Sequence, residues 1–97
     1  MSRNPKFDAL IAHIVELHNA KSHDYAGEDP LENLRRAARF GVPPWKGALV
    51  RMSDKWGRIE QLAGGKTPKN ESLRDSLIDN AVYSLITVIL LDEVEGK

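Results

Sequence analysis

Glu71, Asp75 and Asp79 recur at four-residue spacing in Glu71-Ser72-Leu73-Arg74-Asp75-Ser76-Leu77-Ile78-Asp79-Asn80-Ala81-Val82-Tyr83, a strongly helical stretch. At about 100° per residue these carboxylates span roughly 80° of arc, which Ile78, Val82, Ile86 and Ile89 share. Like charges four apart on a helix repel by about a few tenths of a kcal/mol when exposed, and by more when desolvated. On the apolar side of a helix such a ladder needs a cation. A hard divalent ion, Mg²⁺ or alternatively Mn²⁺, takes oxygen ligands and keeps waters for contacts to phosphate. Asp75, Asp79 and Glu71 are therefore the expected metal ligands. Glu71 has a plainer explanation, since it falls in the first helical turn after Asn70, where the macrodipole favours acids. Asp75 and Asp79 lie too deep for that explanation, and their alternative is an ion pair with a cation on a neighbouring helix.

A second cluster, Arg51-Met52-Ser53-Asp54-Lys55-Trp56-Gly57-Arg58-Ile59-Glu60, places Arg51, Asp54, Lys55 and Arg58 on the side of a helix away from Trp56 and Met52. Taken alone it is a solvated face with an Asp54–Arg58 pair at four-residue spacing. Beside the acidic ladder it supplies one more ligand, Asp54, and two phosphate-facing cations, Lys55 and Arg58. Gly57 inside a helix costs about 1 kcal/mol against alanine, which predicts a close approach there by another helix or a ligand. A third cluster is Lys21-Ser22-His23-Asp24-Tyr25, expected to fold back over the core. Tyr25 has two open roles, stacking on a base or plugging the core. A lone histidine such as His13 or His18 is more often structural than catalytic.

Four helices and no strands are expected to position these groups. The first runs from Pro5 to His23 with Asn4 as N-cap, carrying the stripe Phe7, Leu10, Ile11, Ile14 and Leu17. Asp29-Pro30 caps a second helix that reaches Phe40 and ends at Gly41. Val42-Pro43-Pro44 opens a third, to Ala63, with Trp45, Ala48, Leu49, Met52, Trp56 and Ile59 as its apolar stripe. Gly64-Gly65 ends it, and Asn70 caps a fourth helix to Glu93. Beyond Asp75 that helix is apolar nearly all round except for Ser76, Asn80, Ser84 and Thr87, so it belongs at the centre of an assembly. A homodimer or homotetramer through it is expected, because three companion helices from a small chain do not cover it.

The chain has 97 residues, one expected domain spanning 1–97, with 14 basic and 14 acidic side chains and zero formal charge. Charge neutrality argues against nucleic acid and membrane partners. The absence of cysteine excludes disulfides, thiolate metal sites and cysteine nucleophiles. Met1-Ser2-Arg3-Asn4-Pro5-Lys6 lacks the apolar run of a signal peptide. The greasiest stretch, 81–91, is too short and too interrupted to span a bilayer, so a cytoplasmic location is expected.

As an ordered set, Lys21-Ser22-His23-Asp24-Tyr25, Asn33, Phe40-Gly41, Arg51 through Asp54-Lys55, Arg58-Ile59, Glu71-Ser72, Asp75, Asp79 and Tyr83 resemble the phage and bacterial nucleotide-modification-associated domain, over about four-fifths of the chain. That family is similar to the all-α nucleoside triphosphate pyrophosphohydrolases, the MazG-like and dimeric dUTPase-like enzymes. The resemblance implies an all-α, four-helix MazG-like bundle, oligomeric through the long C-terminal helix. It implies Mg²⁺ held by acids on two adjacent helices and cleavage of an NTP or dNTP between the α- and β-phosphates. It places Asp54, Asp75 and Asp79 on the metal helices, with Glu71 beside them. It assigns nucleotide contacts to Lys21, Asp24, Tyr25, Asn33, Lys55, Arg58 and Tyr83. Glu71 or Asp79 is then the group that orients the attacking water or accepts its proton. The family's E-x-x-E helix is reduced here to Asp54 with Arg51, Arg58 and Glu60 around it. The rival expectations are a non-catalytic nucleotide-binding or structural helical oligomer, and a nucleic-acid factor using Arg35, Arg36 and Arg39.

Overall fold

The structure, a computed structural model, describes residues 3–24 and 31–96, with side chains for all of these except 21–24. The described residues form helices joined by short loops and contain no strand. They belong to two compact units, Met1–Pro30 and Leu31–Lys97.

The first unit contributes one helix, α1 (Pro5–Asp24). Asn4 starts it as expected: its side-chain oxygen accepts from the backbone N–H groups of Lys6 at 3.1 Å and Phe7 at 3.2 Å, satisfying two otherwise orphaned donors. Phe7, Leu10 and Ile11 are exposed.

The second unit begins with a short helix, α2 (Glu32–Arg35), which tightens into a 3₁₀ segment, Arg36–Phe40. Gly41 stops it at φ 78°, a left-handed conformation that costs little only for glycine. The N–H of Gly41 reaches the Ala38 carbonyl and that of Val42 reaches the Ala37 carbonyl, the paired bonds of a Schellman motif. The Asp29-Pro30 start proposed for this element lies outside the described residues. Pro44 then opens α3 (Pro44–Ala63), which ends at Gly64-Gly65, with Gly65 at φ 103°.

The fourth helix, α4 (Leu73–Glu95), starts later than expected. Ser72, not Asn70, is its N-cap, and a capping box joins Ser72 and Asp75. The Ser72 side chain accepts from the Asp75 N–H at 3.0 Å, and the Asp75 carboxylate accepts from the Ser72 N–H at 3.4 Å. Two orphaned donors are thus satisfied reciprocally.

Helices α3 and α4 run antiparallel, as the order of their cross-contacts requires: Arg58 meets Glu71, Lys55 meets Asp79, and Met52 meets Thr87. Near the far end of the pair, Leu31, Ala48, Ile86 and Leu90 form the buried core, with Leu34, Trp45 and Val82 packed on it. Arg35 clamps this end through a two-pronged ion pair with Glu93, one prong at 3.0 Å.

Two stripes are oriented differently from the sequence expectation. On α3, Ala48 and Ile59 are buried but Leu49 and Trp56 are exposed, while Lys55 is drawn into the half-buried seam. On α4 most of the polar strip faces inward, Ser84 staying exposed: Ser76 is fully buried, Asn80 is half-buried, and the Thr87 hydroxyl donates to the Tyr83 carbonyl at 2.6 Å and lies 3.6 Å from the Met52 sulfur. Leu77, Leu85, Val88 and Ile89 are about half exposed on the opposite side. The inward arc is the one that brings Ile86 and Leu90 into the core with Leu31 and Ala48, and Asp79 to Lys55. Ser84 and Thr87 satisfy their hydroxyls on carbonyls of their own helix, Ser76 bonds to Glu71, and Asn80 Oδ1 is buried without a partner among the described residues.

Gly57 has no heavy atom of the described residues within 4 Å of a Cβ placed on it, so the close approach expected there is absent among them. It occurs at Gly47, whose Cβ position lies 3.2 Å from the Ala37 Cβ. Gly57→Ala is therefore expected to stabilise the protein by about 0.4–1 kcal/mol, seen as a raised midpoint in urea unfolding at unchanged slope.

Candidate functional site

The seam between α3 and the start of α4 gathers Lys55, Arg58, Glu71, Ser76 and Asp79. Lys55 is the hub. Its Nζ lies 3.2 Å from Asp79 Oδ2 and 3.9 Å from Glu71 Oε1, so one ammonium is flanked by two carboxylates from different parts of the chain. All three side chains are only 20–27% exposed, so water screens these pairs less than it does surface pairs. Arg58 adds a longer contact to Glu71 Oε2, at 3.5 Å. The Ser76 hydroxyl, buried beneath, donates to the same Glu71 oxygen at 2.7 Å. Glu71 is thus held by a short hydrogen bond from a neutral donor and by two cations.

Local structure explains why these groups meet. Lys55 shares the inward face of α3 with Ala48, Met52 and Ile59, at helical spacings of three, four and seven. Asp79 and Ser76, three apart, share the inward face of α4. Glu71 sits just before the Ser72 cap, outside α4, where the chain turns back toward α3.

The expected three-rung acidic ladder is therefore not a ladder. Glu71 precedes the helix and does not stand in its first turn. Asp75 is exposed and engaged in the capping box, so it does have the helix-terminus role ruled out above. Of the three, Glu71 and Asp79 converge and Asp75 does not join them. Asp54 is exposed on α3, and its expected partner Arg58 pairs with Glu71 instead. Lys55 faces the seam, not the solvated side assigned to it. Asn33 is exposed on α2, and Tyr83 is half-buried on α4, one turn beyond Asp79. Lys21 and Asp24 belong to the last turn of α1, but their side chains, and Tyr25 entirely, lie outside the described residues. Arg36 forms a four-spaced pair with Glu32 at 3.7 Å, and Arg39 is exposed.

Among the described residues, no group of three or more His, Cys, Asp or Glu side chains is placed to hold a metal ion. Two carboxylates nevertheless converge on a single cationic point, the Lys55 ammonium. The ammonium takes the place where a cation would meet the two carboxylates. Ser72 and Ser76 were not singled out as contributors from the sequence. The Ser72-x-x-Asp75 spacing signals the cap, whereas nothing local marks Ser76 as a partner of Glu71.

Compared with known proteins, the chain matches no family model, no curated protein and no solved structure. No helix among the described residues is long and apolar enough to cross a membrane.

Proposed function

We propose that the chain is a Mg²⁺-dependent nucleoside or deoxynucleoside triphosphate pyrophosphohydrolase that releases a monophosphate and pyrophosphate in the nucleotide metabolism of a phage or prophage, in the cytoplasm. The observation that supports it best is the convergence of Glu71 and Asp79 with Lys55 and Arg58 in one half-buried seam. Glu71 and Asp79 are the residues that would hold the ion, and its chemistry there is neutralisation of phosphate charge and activation of a bound water. Lys55 and Arg58 are placed to take up phosphate charge. The Ser76 hydroxyl keeps Glu71 oriented, so that this carboxylate is the better candidate to align a water or accept its proton. Asp54 and Asp75, which the family resemblance places on the metal helices, are exposed, and Asp75 is engaged in its cap, so neither carries the reading.

The MazG-like bundle and the oligomer belong to the same reading. A second copy packing on the exposed side of α4 through Leu77, Leu85, Val88 and Ile89 gives the homodimer or homotetramer that such enzymes use.

A second reading, a non-catalytic nucleotide-binding or structural oligomer of the same fold, is favoured by a specific observation. Lys55 already neutralises the two carboxylates, and Asp75 is committed to its cap. One assay separates the two. Pyrophosphate release is measured over a dNTP and NTP panel with Mg²⁺ or Mn²⁺, for the native chain, Asp79→Asn and Asp75→Ala. The hydrolase reading expects turnover that Asp79→Asn lowers by at least about 100-fold. Asp75→Ala is expected to cost about 0.5–1.5 kcal/mol of stability through the lost cap. Thermal stabilisation by nucleotide and Mg²⁺ without turnover would establish the second reading instead.

A further inference from the structure

A cavity of about 160 Å³ opens where α3 ends and the 64–72 loop begins, lined in part by Arg58, Lys66, Thr67, Lys69, Asn70 and Glu71. Its lining holds three cations and one carboxylate, a local positive excess in a chain whose formal charge is zero. These cations are lightly engaged. The Lys66 ammonium donates to Gln61 Oε1 at 3.5 Å, and Arg58 reaches Glu71 at 3.5 Å, both at the outer limit of a hydrogen bond. Neither Lys66 nor Lys69 enters an ion pair among the described residues. Arg58 has five N–H donors in a planar fork, of which the Glu71 contact uses one. Thr67 and Asn70 add neutral donors.

Size narrows the ligand. The cavity, of about 160 Å³, has room for several waters, since one needs about 10–15 Å³. Sites that enclose a drug-sized ligand run to about 300–1,000 Å³. The space therefore suits one small, multiply charged oxyanion and excludes an enclosed base and sugar.

We propose that this cavity is a subsite for a phosphate-class oxyanion, gripped by Arg58, Lys66 and Lys69. Its role in catalysis, to receive the diphosphate end of a nucleoside triphosphate and hold it as it leaves, rests on the hydrolase reading. The binding itself does not. When the anion enters, Arg58 exchanges the long Glu71 contact for it, and Glu71 keeps Lys55 and the Ser76 hydroxyl.

The test is calorimetric titration of the intact chain, without metal and at low ionic strength, with inorganic pyrophosphate, phosphate, a nucleoside triphosphate and a nucleoside. Pyrophosphate is expected to bind and to be displaced by the triphosphate, while the nucleoside gives no heat. The double variant Lys66→Ala/Lys69→Ala is expected to weaken pyrophosphate at least ten-fold. Both lysines are exposed, so folding is not at stake, and the single variant Lys69→Gln serves as a milder check. Removing the same charge elsewhere, at exposed Lys6 and Arg39, is expected to change affinity less than three-fold. Equal weakening by both double variants, or no pyrophosphate binding at all, overturns the subsite. Pyrophosphate binding in a chain that turns nothing over keeps the subsite and removes the hydrolase. Turnover with a pyrophosphate affinity indifferent to Lys66 and Lys69 does the reverse.

Discussion

Leu90→Ala is expected to destabilise the second unit by about 2–5 kcal/mol, enough to consume much of a stability that for small domains totals about 5–15 kcal/mol. Leu90 is 1% exposed, the largest fully buried side chain among the described residues, and lies in the core with Leu31, Ala48 and Ile86. Truncation removes its transfer free energy and leaves a cavity that α3 cannot fill easily, because the facing residue, Ala48, is already small. Urea unfolding followed by circular dichroism reads the loss as a lower midpoint. Val82→Ala, at a half-buried position on the core's edge, is expected to lose less. A Leu90→Ala unfolding free energy within about 0.5 kcal/mol of the native value would mean that α3 and α4 are not held together by this core.

Lys55→Met is expected to cost about 1–3 kcal/mol in the absence of divalent metal, and part of that loss is expected to return on adding Mg²⁺. The variant keeps the stem that packs in the seam and deletes the ammonium that lies 3.2 Å from Asp79 and 3.9 Å from Glu71. Two partly buried carboxylates then lack their shared partner, and desolvated charges that lose a partner account for the magnitude. If Glu71 and Asp79 can share a divalent ion, Mg²⁺ replaces the missing charge, and its binding to the folded chain adds stability by mass action. The native protein, with Lys55 in place, gains less from the same addition. Thermal melts of both proteins with and without Mg²⁺ provide the measurement. A variant that melts early and ignores Mg²⁺ assigns the seam to structure alone and removes the metal from the proposed mechanism.

Helix boundaries marked by local chemistry agree with the sequence expectation. Asn4-Pro5, Gly41, Pro44 and Gly64-Gly65 each act through the backbone of their own neighbourhood: a cap that accepts from nearby N–H groups, a fixed φ, or a left-handed turn. The start of α4 differs because Asn70 and Ser72 are both plausible caps. Ser72 has an acceptor three residues on that completes the box, and that displaced Glu71 from the helix and assigned Asp75 to the cap. In the candidate site, Lys55, Arg58, Glu71 and Asp79 were legible as charged residues at suggestive spacings, but their pairing was not. Asp54 and Arg58, four apart on α3, look like natural partners, yet Arg58 reaches Glu71 across the seam.

Sequence alone determined that the described chain is helical, where most of its helices begin and end, and which residues carry the charge. These follow from interactions within about four residues, which any piece of the chain already contains. Only the tertiary structure decided which face of α4 turns inward, that Lys55 and not solvent meets Asp79, and that Ser76 is buried against Glu71. A helix apolar on nearly every side has no preferred face of its own. Its orientation comes from contacts with residues distant in the chain, the Lys55–Asp79 pair and the packing of Ile86 and Leu90 with Leu31 and Ala48.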